Sequence, residues 1–326
     1  YGSLDLEILA AGTPRTAGFV SLAANDLNAI GATNMTIGGA ARSVVVRERA
    51  MLQAPEIFLI ANDGGITLED GVKLSTLGQG GNTPYSAARI ESIGNILAIS
   101  NGLLDVLSTG NGSGSGNGIT VGKVQLYTEG TLLFSTSSSG KLVMDRDAVY
   151  GAKYLSVAVP SINIGENAAI GAAVSAGVLP EGLIFNQQVL ADLLHGNAGL
   201  GIPKVETLIL SAGKSVNFFG SVTLDTLDPV TGKSSLAELV LNTPAIYGLG
   251  DTGDTAKITT GTLIWNGVSD GKRRDVGSAP SSLPPPPVVA GGPGTGQGTL
   301  DIAANQIVFG DAKFKQPDTQ LTLDRL

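Results

Sequence analysis

The sequence predicts an all-β chain whose short strands stack into a β-solenoid, and three observations lead to that prediction. Glycine makes up 46 of the 326 residues, charged residues only 15%, and the mean hydropathy is +0.23. Apolar and polar residues alternate along much of the chain, and similar units recur within it. Soluble domains usually carry about 25% charged residues and about 7% glycine, so this composition favours strands and turns over helices.

The alternation has a period of two, which is the pattern of a half-buried strand. The apolar runs are short, and most are separated by Gly, Asn, Asp or Ser, which favour turns. The predicted strands are Leu4–Ile8, Ile57–Ile60, Ile66–Leu68, Val72–Leu74, Ile119–Val121, Val124–Leu126, Val205–Leu210, Val222–Leu224 and Leu300–Ile302.

Four segments share an outline, which is the strongest sign of internal repetition. Leu22–Gly31, Ile302–Gly310, Leu208–Gly220 and Val143–Gly151 each predict a short strand, a small polar turn, a second strand and then glycine. Such a unit cannot bury its own apolar face, whereas a stack of units buries one continuous column. Stacking of this kind defines a solenoid.

Three segments interrupt the pattern and are predicted as insertions. Residues 109–118 form a Gly/Ser/Asn loop, and residues 270–298 a Pro/Gly-rich loop with a small basic patch. The insertion at 166–203 is partly helical, with helices predicted over Glu166–Gly177 and Gln187–His195.

The sequence begins and ends within a strand pattern, and its first residues lack the basic start of a signal peptide. Residues 1–326 are therefore expected to be one solenoid segment of a longer chain. The most apolar stretch, Ala168–Phe185, contains Pro180 and Glu181, so no transmembrane helix is predicted.

Charge and residue content exclude several functional classes. The net charge is −8 and the isoelectric point about 4.7, which disfavours nucleic acid and anionic membranes as partners. The chain has no cysteine, so disulfides, thiolate metal sites and cysteine nucleophiles are excluded. Its single histidine excludes nearly every histidine-rich metal site.

Two motifs resemble catalytic sites but have simpler interpretations. His195 lies one helical turn from Asp192, yet no Gly-x-Ser-x-Gly elbow supplies a nucleophile, so we expect an exposed histidine at a helix end. Asp251-Thr-Gly-Asp254 contains the Asp-Thr-Gly triplet of aspartic proteases, but it lacks a second such triplet and reads as a turn. Calcium there would lack most of the ~6–8 oxygen ligands it requires.

Paired carboxylates are relevant because β-helix enzymes often cleave polysaccharides. Asp145 and Asp147 are predicted on one face of a strand, with Arg146 on the other, where they could form an acid/base pair. The simpler interpretation is an exposed solenoid face with scattered charges. Glu69-Asp70 before Gly71 is predicted to be a turn.

Aromatic side chains could form a sugar platform, for which Trp265 and Tyr247 are the candidates. Leu263 and Trp265 share one strand face and Ile264 takes the other, which favours a buried tryptophan. Several asparagines are expected at coil corners, where their amides cap turns or stack: Asn25, Asn62, Asn101, Asn217 and Asn305. The sequence thus predicts no catalytic, cofactor-binding or metal-binding residue.

Three stretches resemble interior pieces of filamentous haemagglutinin-like exoproteins, which Gram-negative bacteria export by two-partner secretion. They are Gly298–Gly310, Lys214–Asp225 and Asn242–Gly248. The resemblance implies a right-handed parallel β-helix, export through an outer-membrane transporter, and an extracellular or cell-surface location. It also implies roles in adhesion, biofilm formation or toxin delivery.

The expected function is therefore that of a structural and adhesive rod segment without enzymatic activity, with surface glycans or receptors as partners. If it binds them, the insertions at 166–203 and 270–298 are the expected places. The alternative is a polysaccharide-degrading β-helix enzyme or tailspike-like depolymerase. Such an enzyme needs acids and bases grouped in one groove, and the sequence does not suggest that grouping. A third possibility is a passive spacer without a ligand.

Overall fold

The computed structural model describes most of the chain, in two compact units. The described residues are 4–80, 88–92, 94–108, 117–137, 140–145, 147–180, 182–185, 194–227, 231, 233–234, 236–243, 246–249, 253–266 and 298–309. The first unit comprises Tyr1–Val159 and His195–Val205, and the second comprises Pro160–Leu194 and Glu206–Leu326. The helices that the described residues form are all too short to reach across a lipid bilayer.

The described part of the first unit is built from short strands, with one complete α-helix. Its strands are β1 (Asp5–Leu9), β2 (Phe19–Ala23), β3 (Met35–Gly38), β4 (Ser43–Val46), β5 (Met51–Gln53), β6 (Glu56–Ala61), β7 (Gly65–Leu68), β8 (Lys73–Ser75), β9 (Ala88–Ser92), β10 (Asn95–Ser100), β11 (Leu104–Ser108), β12 (Ile119–Val121), β13 (Gln125–Tyr127), β14 (Thr131–Ser135), β15 (Leu142–Met144), β16 (Val149–Gly151) and the start of β17 (Tyr154–Gly165). The helix is α1 (Ala24–Ala29), and one 3₁₀ turn spans Ala198–Leu200.

Successive strands of the first unit join different sheets. One sheet has the order β15-β12-β7-β4-β1-β2, and a second has the order β16-β13-β8-β5. Every pairing within these two sheets is parallel. Strands β3, β6, β10, β14 and β17 follow one another in a third sheet, and β9 pairs with β11. The prediction of an all-β chain with parallel pairing is confirmed.

Parallel register places like residues above one another and so creates the core. In the first sheet, Leu6 pairs with Val44, Val44 with Ile66, Ile66 with Ile119, and Ile119 with Leu142. All five side chains are buried. Fully burying one such side chain contributes roughly 1.5–3 kcal/mol, so this column is a major source of stability.

Strand β10 runs against the direction of its neighbours. It is antiparallel to both β6 and β14, yet its register still places Ile99 between Ile57 and Leu132. The backbone ladder and the buried apolar row are therefore continuous although the chain direction reverses. The short apolar runs in the sequence carry no sign of direction, so this reversal was not predicted.

The second unit is also mostly parallel sheet. Its elements are α2 (Asn167–Ser175), β18 (Leu183–Phe185), β19 (Thr207–Phe219), β20 (Val222–Asp225), β21 (Glu238–Asn242), β22 (Ile246–Leu249), β23 (Thr255–Asn266) and β24 (Thr299–Phe309), together with the end of β17. Strands β20, β23, β21 and β19 are neighbours in that order, β22 pairs with β19, and β24 pairs with β23.

The four similar segments adopt three different structures. Val143–Gly151 has the predicted strand–turn–strand form, as β15 and β16. The turns predicted within Leu208–Gly220 and Ile302–Gly310 are wrong, because β19 and β24 are continuous strands. Strand β24, of 11 residues, pairs along its length with β23, of 12 residues, and this ladder keeps it extended.

In Leu22–Gly31 the predicted turn and second strand are wrong, because Ala24–Ala29 forms α1. The side chain of Asn28 explains the difference. Its Nδ2 donates to the carbonyl of Met51 at 2.9 Å, and its Oδ1 accepts from the amide of Gln53 at 3.0 Å. These bonds satisfy the outer edge of β5, so α1 occupies the place where another strand would pair.

The helical part of the 166–203 insertion is confirmed where the structure describes it. Helix α2 lies within the predicted Glu166–Gly177, and Ile170 and Ala173 pack against Phe219. Residues 187–193 of the second predicted helix lie outside the described residues, as do 109–116 and 270–297 of the two predicted loops.

Candidate functional site

The carboxylates proposed as an acid/base pair do not lie on a strand face. Strand β15 ends at Met144, and the amide of Asp147 donates to Asp145 Oδ1 at 2.8 Å. This side-chain-to-backbone bond closes a turn, so the i, i+2 rule of strands does not apply. Asp147 Oδ2 lies 3.0 Å from Lys123 Nζ, both side chains being half exposed, and this hydrogen bond raises the pKa of the lysine. Arg146 lies outside the described residues.

The other two catalytic motifs fall partly outside the described residues, which include neither Asp192 nor Asp251. His195 is exposed, as expected, and is followed by Gly196 with a left-handed φ of 60°. Asp254 Oδ1 accepts from the Ser221 hydroxyl at 2.8 Å, so this carboxylate connects neighbouring loops.

The buried interpretation of Trp265 is confirmed. Its exposed fraction is 8%, that of Leu263 is 0%, and Ile264 on the opposite face is half-buried. Tyr247 is half-buried against the apolar cluster of α2, and desolvation raises the pKa of its phenol. Neither ring forms an exposed platform.

The asparagines have mixed positions. Asn101 follows a strand end and bonds Thr76 through both ends of its amide, as expected of a corner residue, and Asn62 precedes β7. Asn217 lies inside β19 and donates to Asn163 Oδ1 at 2.9 Å, which is stacking between strands. The corner prediction is wrong for Asn25, which lies in α1, and for Asn305, which lies in β24.

The most organised polar cluster surrounds Glu7, which the sequence did not single out. Glu7 lies in β1 between two buried apolar residues, and its own side chain is fully buried. Its Oε1 accepts from the amide of Thr16 and the hydroxyl of Ser21, both at 2.7 Å, and its Oε2 lies 2.9 Å from Arg47 Nε. Desolvation acts to raise its pKa, but these hydrogen bonds outweigh it and lower the pKa to about 2.

Arg47 connects Glu7 to the neighbouring strands. Its Nη1 lies 2.8 Å from Glu69 Oε1, its Nη2 donates to Thr16 Oγ1 at 3.0 Å, and its guanidinium stacks 5.0 Å above the Phe19 ring. Burial acts to lower its pKa, and the bonds to Glu69 and Glu7 raise it above its usual value. The guanidinium is therefore held charged and in one orientation.

A cavity of about 550 Å³ opens beside this cluster. Its walls are the loop after β1 and the corner after β4, together with Glu69. The lining residues are Ala10, Ala11, Gly12, Thr13, Pro14, Thr16, Arg47, Glu48, Arg49 and Glu69. This volume lies in the range of small-molecule sites, about 300–1,000 Å³.

The sequence does contain a signal for this site. Arg47-Glu48-Arg49 is a dense charged run in a chain of low charge, and Glu69-Asp70 follows 22 positions later, the offset at which β4 pairs with β7. Glu69-Asp70 does form the predicted turn, but the strand pattern gives no sign that Glu69 pairs with Arg47. The burial of Glu7 depends on the loop of Thr16, which the strand pattern does not reveal.

The cavity lining offers hydrogen-bond donors and hydrogen-bond acceptors that are held in fixed orientations. Glu69 already uses both oxygens, accepting from Arg47 at Oε1 and from the amide of Glu48 at Oε2, at 3.0 Å. Among the described residues, no group of three His, Cys, Asp or Glu side chains could hold a metal ion. No protein-family model, curated protein or solved structure matches this chain. The arrangement is suited to binding a polar molecule.

Proposed function

We propose that this chain is a right-handed parallel β-helix segment of a secreted, filamentous haemagglutinin-like exoprotein. It acts as a stiff spacer and as a scaffold for attachment to cell or host surfaces. The partners we propose are an outer-membrane two-partner transporter during export and a surface glycan or receptor afterwards. The proposal includes an extracellular, cell-surface location in a Gram-negative bacterium and assigns the segment no catalytic role.

The order in which strands join sheets carries this proposal. Strands β4, β5 and β6 enter three different sheets, β12, β13 and β14 repeat the same path, and β15, β16 and β17 repeat it again. We interpret each triplet as one turn of a coil. Strands β12, β13 and β14 pair with their counterparts β15, β16 and β17, whereas β7, β8 and β10 lie between the first triplet and the second. Backbone hydrogen bonds along the stacking direction resist bending and stretching, which suits a spacer.

The side chains support the same interpretation. The apolar column from Leu6 to Leu142 places one buried residue in each of the five strands β1, β4, β7, β12 and β15 of the first sheet. The absence of cysteine suits a chain that crosses an oxidising compartment before it folds. Helix α2 shows how an insertion packs on such a scaffold, since its apolar residues cover Phe219.

A combined binding and turnover screen tests the proposal. The purified chain is applied to glycan arrays and host-cell surfaces, and soluble polysaccharides are assayed for chain shortening. We expect saturable attachment without shortening. Depolymerisation of any glycan would refute the proposal in favour of the enzyme, and absence of all attachment would refute its adhesive part.

Two variants then locate the attachment. Residues 270–298 are replaced by a Gly/Ser linker, and Val174, which is 55% exposed on α2, is changed to Ser. Deleting α2 is unsuitable because Ile170 is part of an apolar cluster. Loss of attachment in either variant assigns it to that insertion, and attachment retained in both contradicts the insertions as the binding sites.

A further inference from the structure

Two walls of the cavity beside Glu7 are held rigidly. The first is Arg47, whose guanidinium is fixed by Glu7, Glu69 and Thr16 and supported by the Phe19 ring. The second is Glu69, whose two oxygens are oriented by separate donors. Groups that are already oriented lose little freedom when a ligand binds, which is the main advantage of a preorganised site.

Arg49 lies at the cavity in a conformation that is unfavourable for arginine. Its φ is 59°, and among the described residues it is the non-glycine residue with a positive φ. The β4–β7 and β5–β8 registers both have an offset of 22, which makes Gly71 its counterpart in the next turn. Gly71 has a φ of 76°, so the corner requires a left-handed residue that glycine supplies without strain.

The space around Arg49 also suits its side chain. A Cβ on Gly71 would lie 3.2 Å from Arg49 Cγ, so the glycine leaves room for the arginine stem to lie across it. Retaining a long cationic side chain where glycine is favoured costs stability. The fold does not need an arginine at this corner, since glycine would avoid the backbone strain. A strained Arg49 at the wall of a cavity therefore indicates a role for its side chain.

The lining indicates the chemical class of the ligand. Two arginines, Arg47 and Arg49, and two glutamates, Glu48 and Glu69, line the cavity. The two positive and two negative formal charges of the lining cancel. The carboxylates therefore repel a sulfate or phosphate, and the guanidinium groups repel a divalent cation. The lining supplies arginine donors and glutamate acceptors together with the hydroxyls of Thr13 and Thr16, and such a mixture of donors and acceptors suits the hydroxyl groups of a sugar. We propose that this cavity binds a neutral sugar residue of a surface glycan.

This inference deepens the attachment part of the proposed function and rests on it. It places recognition at the corner after β4 instead of on the insertions at 166–203 or 270–298. Arg49 and Glu69 are the binding residues, and Arg47, which Glu7 holds in place, positions Glu69.

The full chain is titrated calorimetrically with a panel of neutral methyl glycosides, and in parallel with sodium sulfate and calcium chloride. We expect saturable binding of at least one glycoside. Arg49→Gly and Glu69→Gln should each weaken it about tenfold or more, since losing a hydrogen bond to a charged group has an effect of that size. Arg42→Gln, which removes a half-exposed arginine outside the cavity, is the control and should bind as the unaltered chain does.

Thermal unfolding supplies a second measurement, in which Arg49→Gly should raise stability although it lowers glycoside affinity. Arg49→Gly relieves the left-handed strain, so its unfolding midpoint should rise by about 1–4 °C while its glycoside affinity falls. A lower midpoint would show that Arg49 stabilises the corner and would overturn the inference.

Three other outcomes would also overturn the inference: saturation by sulfate or calcium alone, glycoside affinity unchanged in both variants, or no glycoside binding at all. In each case attachment to whole cells, measured separately, shows whether the proposed function survives.

Discussion

Replacing Glu7 by Gln tests how the buried carboxylate supports the first unit. The substitution keeps the size of the side chain but removes its charge. Glutamine has one oxygen and one NH₂ group, whereas three donors, from Thr16, Ser21 and Arg47, converge on Glu7. At least one of them must then face another donor inside a buried site.

The size of the effect follows from the pKa. Folding lowers the pKa of Glu7 from 4.5 to about 2. At 1.36 kcal/mol per pKa unit this shift corresponds to about 3 kcal/mol of stability at pH 7. We expect Glu7→Gln to lower the free energy of unfolding by about 2–4 kcal/mol at pH 7, including the unpaired donor.

The pH dependence has a definite sign. Because the folded pKa lies below the unfolded one, the contribution is complete above pH 4.5 and is lost as the pH falls towards 2. The glutamine variant lacks this titration. The stability difference between the two proteins should therefore be largest near neutral pH and shrink steadily below pH 4.5.

Urea unfolding followed by circular dichroism at pH 7, 5 and 3 measures the difference. Hydrogen–deuterium exchange of the β1 and β4 peptides shows whether the loss is local. Glu48→Gln, at an exposed position on the same corner, is the control and should change stability by about 0.5 kcal/mol or less. An unaltered midpoint for Glu7→Gln at pH 7, or a difference that is the same at pH 7 and pH 3, would refute the reasoning.

Three further predictions concern the core. Leu97→Ala in the fully buried centre of β10 should cost about 3 kcal/mol in urea unfolding, whereas Val143→Ala, 53% exposed, should cost much less; equal costs would contradict the packing. Gly65→Ala should lose about 2 kcal/mol or more, because its φ is 76° and the new Cβ would meet the Gly118 carbonyl oxygen at 2.4 Å; unchanged stability would contradict this. Phe309→Ala should shift the fluorescence of Trp265 to longer wavelength, since the two rings lie 6.3 Å apart; an unchanged spectrum would show that the contact does not shield the indole.

Much of the strand content was predictable because its signal is local. Alternation with a period of two indicates which residues face the core. The predicted strand Ile119–Val121 has the observed bounds of β12, and the predicted strand Ile66–Leu68 is β7, which begins one residue earlier. The buried side of Leu263 and Trp265 followed from the same rule. Helix α2 was predictable because its alanine-rich stretch favours a helix over a strand.

The candidate site was less predictable, since it depends on residues that are distant in sequence. The sequence predicts Asp145 and Asp147 on a strand face, but the strand ends at Met144 and the Asp145 carboxylate accepts from the amide of Asp147. The alternation predicts Glu7 at a polar position of its strand, but the loop of Thr16 covers it. In both cases a hydrogen bond overrode the pattern.

The sequence by itself determined that this chain is all-β and that its strands pair through repeated apolar positions. Only the tertiary structure decided that α1 pairs with the edge of β5, that β10 reverses direction, and that the corner of Arg49 borders a cavity. The physical reason is that apolar periodicity acts through burial, which every residue records locally. Strand direction, edge protection and buried charge depend instead on partners that folding brings together from distant parts of the chain.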